Sequence, residues 1–108
     1  MPNITMYVDI EAMPPGNSMD SLTTQCTDLC TGTLRAALDN VHIIYVPVRR
    51  GRGHPVFAEV LFREEPFRTP EVMDRFMQQL DDAITTHTGR IARIRCFSFG
   101  KQHIHARN

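Results

Sequence analysis

The sequence predicts an α+β fold: two tandem βαβ units forming a four-stranded mixed sheet with two helices on one face. Three observations carry this. Strand-like alternation and helix-like three- and four-residue recurrence follow one another in the order strand, helix, strand, twice over. The candidate helix caps Ser18 and Thr69 stand 51 residues apart, and the strands after each helix begin at Val41 and Ile91, 50 apart. A length of 108 residues with 42% hydrophobic and 22% charged residues suits one domain with a packed core. The units span residues 3–48 and 56–99, joined by a basic turn at 49–55 and followed by a tail at 100–108.

Asn3–Ile10 alternates, with Ile4, Met6, Val8 and Ile10 on one face, and reads as a half-buried strand. Met13-Pro14-Pro15-Gly16-Asn17 breaks it, and Ser18 is the expected N-cap of a helix. Met19, Leu22, Cys26, Leu29, Thr33, Ala37 and Leu38 form the apolar stripe of that helix, which Asp39-Asn40 ends. Val41–Val48 is apolar on both faces, the pattern of a central strand, with Pro47 near its end.

The turn Arg49-Arg50-Gly51-Arg52-Gly53-His54-Pro55 leads to a third strand, Val56–Phe62. Thr69 caps the second helix, with Pro70 at its first position, Glu71 in its first turn and Gly89 just past its end. Val72, Phe76, Leu80, Ala83, Ile84 and His87 are its inward stripe, and Ile91–Phe99 is the fourth strand. Helices on one face leave the other face of the sheet bare. Copies of the chain are the simplest cover, so an oligomer is expected.

Composition removes several classes of function. Twelve Lys+Arg balance twelve Asp+Glu, so there is no general attraction to nucleic acid or anionic lipid. The arginine–glycine run resembles an RNA-binding segment, but it lacks interleaved aromatics: there is no Trp, and Tyr7 and Tyr45 are the only tyrosines. No apolar stretch approaches the ~20 residues of a membrane span, and no basic start with an apolar core marks a secretion signal. Three sparse cysteines fit a reducing, cytoplasmic setting. Cys26 and Cys30, four apart on a helix, with His103 and His105 in the tail, would make a zinc site only if the two pairs met. Small cysteines at that spacing are more often core residues, and no metal is expected.

Several patches, in this order, carry a resemblance. Met1-Pro2 runs straight into a strand. Asn40-Val41-His42-Ile43-Ile44 leads through the basic turn to Gly53-His54 and Phe57. Leu61-Phe62-Arg63-Glu64-Glu65 precedes Arg68-Thr69. Over roughly residues 2–99 the chain resembles the tautomerase superfamily, which includes 4-oxalocrotonate tautomerase, 5-(carboxymethyl)-2-hydroxymuconate isomerase, macrophage migration inhibitory factor and the chloroacrylic acid dehalogenases.

The resemblance implies a homotrimeric enzyme that moves a proton within, or adds water to, a small α-keto or unsaturated carboxylate, with no metal or organic cofactor. Methionine is usually trimmed before proline, leaving a secondary amine on Pro2. Burial and nearby arginines lower such an amine from its reference value near 8, so that it can act as a general base at neutral pH. Arg68 matches the arginine that ends the strand-to-helix loop, and Arg63 its partner; both would hold the carboxylate. His42 stands where short members place another arginine, and the position near Asn17 lacks one. These departures imply an altered anion site. Phe57 and Phe99 would wall the amine from water, with Arg49 in the hairpin at the mouth. Eleven of the twelve basic residues are Arg, which fits anion recognition. The alternative is a non-catalytic oligomer on the same scaffold that binds a small anion or a protein.

Overall fold

In the computed structural model, which describes residues 1–108, the alternation of the first strand translates directly into burial. β1 (Asn3–Asp9) buries Ile4, Met6 and Val8 and turns Asn3, Thr5 and Tyr7 to the other face. Ile10 leaves the strand for a 3-10 turn and is 66% exposed, because Asp9 Oδ1 accepts from Glu11 N–H and bends the chain there. β3 (Val56–Arg63) alternates in the same way, with Val56, Ala58, Val60 and Phe62 inside.

These two strands form the middle of a four-stranded sheet ordered β2-β1-β3-β4. β1 runs parallel to β2 (His42–Val48) and antiparallel to β3, and β3 runs parallel to β4 (Ala92–Phe99). Each parallel pair is one βαβ unit, and the antiparallel β1–β3 pair is the seam between them.

The sequence pattern of Val41–Val48 predicts a central strand, and the structure places it at an edge. The physical reason is that both of its faces have apolar work, although only one neighbouring strand pairs with it. Ile43 and Tyr45 pack on the core, while Ile44 points to the bare face and is 44% exposed. Ile91 likewise lies before the fourth strand rather than in it, and is exposed.

α1 (Gly16–Gly32) starts two residues before the expected cap. Pro15 occupies the cap position, and its carbonyl accepts from the N–H groups of Ser18 and Met19, so Ser18 is inside the helix. The helix also stops short of Asp39: Leu22, Cys26 and Cys30 are buried on it, Leu34 beyond its end is buried, and Leu38 is exposed. α2 (Pro70–Thr88) keeps the expected signals. Thr69 Oγ1 accepts from Val72 N–H at 3.3 Å, Pro70 opens the helix, and Gly89 takes the left-handed φ of 69° that closes it.

Phe76, Leu80, Ala83 and Ile84 of α2 join the α1 stripe and the inner face of β1 and β3 in one core. Full burial of side chains such as Phe76, Leu80 and Ile84 contributes about 1.5–3 kcal/mol each. His87 bridges the helices, its Nε2 lying 2.8 Å from Gln25 Oε1. No helix is long and apolar enough to cross a membrane.

The outer face carries no helix. Tyr7 stacks on Phe57 with centroids 5.9 Å apart, and Leu61, Phe97, Ile44 and Phe99 lie on the same side in register. At one end of the sheet the start of β1 meets the ends of β3 and β4; the basic turn lies at the other end.

Candidate functional site

The start of the chain is held firmly. Pro2 is fully buried, and its carbonyl accepts from the N–H of His42 at 3.1 Å, which extends the β1–β2 ladder by one step. Met1 beyond it borders a cavity of about 480 Å³. Three segments complete the wall. Arg63 comes from the end of β3, and Glu65, Phe67 and Arg68 from the loop into α2. Arg35, Ala36 and Asn40 come from the segment after α1, and Ile104 and Arg107 from the tail. Four arginines thus line the cavity with one acidic side chain, that of Glu65, and with Asn108.

The arginines differ in what they already hold. Arg68 Nε donates to the carbonyl of Leu34 at 3.0 Å, and one Nη donates to the carbonyl of Arg63 at 2.8 Å. It therefore ties the end of β3 to the segment leaving α1. Burial lowers the Arg68 guanidinium below its ordinary value, and the Glu65 carboxylate partly opposes that; at neutral pH the group remains charged. Arg68 and Arg35 both lie over the Phe67 ring, at 5.3 Å and 5.2 Å from its centroid. The side chains of Arg63, Arg35 and Arg107 form no hydrogen bond or ion pair within the chain.

The amine at the start of the chain feels this charge. Burial, followed by the positive charges of Arg63 and Arg68, holds the Met1 ammonium below its ordinary value of 8.0. A cavity with these properties can seat a small anion and favours the neutral form of a neighbouring amine.

Of the residues singled out from the sequence, Arg63 and Arg68 line this cavity, while Pro2 is buried behind Met1, which borders it. Phe99 stands opposite Arg63 in the β3–β4 register, and its carbonyl accepts from Glu64 N–H at 2.9 Å, so it borders the same end of the sheet. His42 and Phe57 sit on the bare face, outside the cavity wall, with Arg93 6.0 Å over the Phe57 ring. Arg49 lies at the far end, a strand of seven residues away, or about 20 Å. There Arg50 pairs with Asp9 at 3.2 Å and anchors the basic turn. Cys26 and Cys30 are core residues whose thiols burial pushes up to about 12, and His103 and His105 are exposed in the tail.

Arg35, Phe67 and Arg107 were not anticipated. An aromatic before Arg68 was a visible signal for Phe67; nothing local in the sequence marks the other two.

No protein-family model and no curated protein sequence matches this chain. Solved structures do. The chain is similar to a symmetric trimer of wild-type fused 4-OT, with a TM-score of 0.84, 14% identity, and 99% of this chain and 93% of that chain covered. It is similar to Pt0534 inactivated by 2-oxo-3-pentynoate, with a TM-score of 0.81 at 19% identity over 95% of this chain and 90% of that one. It is also similar to macrophage migration inhibitory factor of Toxoplasma gondii, with a TM-score of 0.70 at 16% identity over 93% of this chain and 90% of that one. With two βαβ units joined at an antiparallel seam, the chain shares the fold of these solved structures.

Proposed function

We propose that this chain is a tautomerase-type enzyme that uses Pro2 as a general base, after loss of Met1, on a small α-keto or unsaturated carboxylic acid. The observation that carries the reading is the amine at the start of the chain, which borders an arginine-lined cavity and lies below its ordinary value through burial, Arg63 and Arg68. Removing Met1 would leave the nitrogen of Pro2 as the new terminus, one residue in from the group that borders this wall.

In the reaction, the neutral amine accepts a proton from the enol hydroxyl or from the carbon beside the carbonyl. The resulting ammonium returns it to another carbon of the conjugated system. The step is a net proton shift and consumes no co-reactant. Arg63, with a free guanidinium, hydrogen-bonds the carboxylate, and Arg68 adds fixed positive charge that stabilises the enolate as it forms.

A homotrimer is part of the proposal. The fused 4-OT to which the chain is similar is a symmetric trimer, and the helix-free outer face here, with Ile44, Phe97 and Phe99 exposed beside Glu59 and Arg95, suits cover by further copies. In that assembly His42, Phe57 and Arg49 would serve the cavity of a neighbouring copy, and Phe99 that of its own.

A second reading has one observation in its favour. While Met1 is attached, the Pro2 nitrogen is an amide in a fully buried residue, which suits a non-catalytic anion binder on the same scaffold. Intact mass of the protein from its native host, together with ultraviolet assay of phenylenolpyruvate ketonisation, separates the two. The enzyme reading expects loss of the methionine mass and measurable ketonisation. Its kcat/KM should rise with pH through a midpoint below 8, because the neutral amine is the active form. A retained methionine with no turnover would favour the binder.

A further inference from the structure

Arg35 occupies a backbone position that is costly for an arginine. Its φ is 53°, in the left-handed region that glycine enters freely and other residues avoid. The helix ending imposes this. Leu34 N–H donates to the Leu29 carbonyl at 3.3 Å, and Ala36 N–H reaches back six residues to the Cys30 carbonyl at 3.0 Å. A left-handed residue just past the end of a helix is most often glycine. Strain kept at the wall of a cavity points toward use of the side chain.

That side chain is both placed and free. Phe67 holds the Arg35 guanidinium 5.2 Å from its ring centroid, and no carbonyl or carboxylate of the chain takes any of its N–H groups. Arg68, on the same ring, has two of its five N–H groups committed to the Leu34 and Arg63 carbonyls.

We infer that Arg35 grips the substrate carboxylate together with Arg63, while Arg68 is a positioning residue that fixes the segments carrying both. Leu34, whose carbonyl Arg68 holds, immediately precedes Arg35, so Arg68 sets where the Arg35 backbone stands. The inference rests on the anion site of the proposed function and deepens it.

Calorimetric titration of malonate into protein lacking Met1 tests this, using the parent chain, Arg35→Gly and Arg35→Lys. Arg35→Gly is expected to bind malonate at least about tenfold more weakly while its melting temperature holds or rises, since glycine suits the left-handed seat. Arg35→Lys should recover only part of the affinity, because an ammonium cannot make the two-point contact. Equal affinity in the parent and Arg35→Gly overturns the assignment of Arg35 but leaves the anion site standing. A fall in melting temperature on Arg35→Gly also overturns it, by showing a structural role. Absence of malonate binding in the parent at millimolar concentration overturns the anion site itself.

Discussion

Replacing Pro2 by alanine is expected to lower kcat/KM for phenylenolpyruvate ketonisation by about 10²–10⁴-fold, the usual contribution of a positioned general base. The fold should survive. The contact that Pro2 makes with the neighbouring strand is through its carbonyl, which accepts from His42 N–H, and alanine keeps that group. What alanine loses is the ring that seats the nitrogen at the start of β1, and with it the fixed direction of the lone pair. Circular dichroism and native mass should therefore match the parent while the rate collapses. A parent-like rate in Pro2→Ala would remove Pro2 from the reaction.

Arg68→Ala is expected to act on stability as well as activity. Two backbone carbonyls, those of Leu34 and Arg63, lose a charged donor at 3.0 Å and 2.8 Å. The site is only partly buried, so water can replace some of what is lost, and the expected cost is about 2 kcal/mol. Denaturant unfolding measures it. Activity should fall at least about tenfold, because the segment bearing Arg35 and the end of β3 bearing Arg63 are no longer tied together. Lysine should restore little, since its one nitrogen cannot reproduce the separate Nε and Nη donors that reach the two carbonyls. Unchanged unfolding in Arg68→Ala would show that the two hydrogen bonds do not hold the cavity wall.

The parts of this fold that were legible in the sequence are those governed by local rules. Alternation in Ile4, Met6 and Val8 marked β1, and Thr69-Pro70-Glu71 with Gly89 marked both ends of α2, because strand pleat and helix capping act over a few residues. The errors fall where distant chain decides the outcome. Val41–Val48 looked central because both of its faces are apolar. The number of strands beside it is set by the β1–β3 seam, which no residue of β2 encodes. The stripe Thr33, Ala37 and Leu38 continued the pattern of α1 past Gly32, but the closure through Ala36 and Cys30 ends the helix first and turns Leu34 inward.

The candidate site was half legible for the same reason. Pro2, Arg63 and Arg68 stood out through the order of short motifs along the chain. Arg35 enters the cavity by way of a left-handed backbone at a residue that gives no sign of it, and Arg107 by way of a tail whose path depends on tertiary contacts. His42, Phe57 and Arg49 lie away from their own chain's cavity, and only contact with further copies would bring them to one.

Titration of the terminal nitrogen by NMR, with isotope-labelled proline in the assembled protein, bears most directly on the proposed base. The expected result is an amine with a single midpoint below the ordinary α-amino value of about 8, shifted by burial and by Arg63 and Arg68. A nitrogen that does not titrate, because it is still joined to Met1, or one that titrates at or above that value, would contradict it.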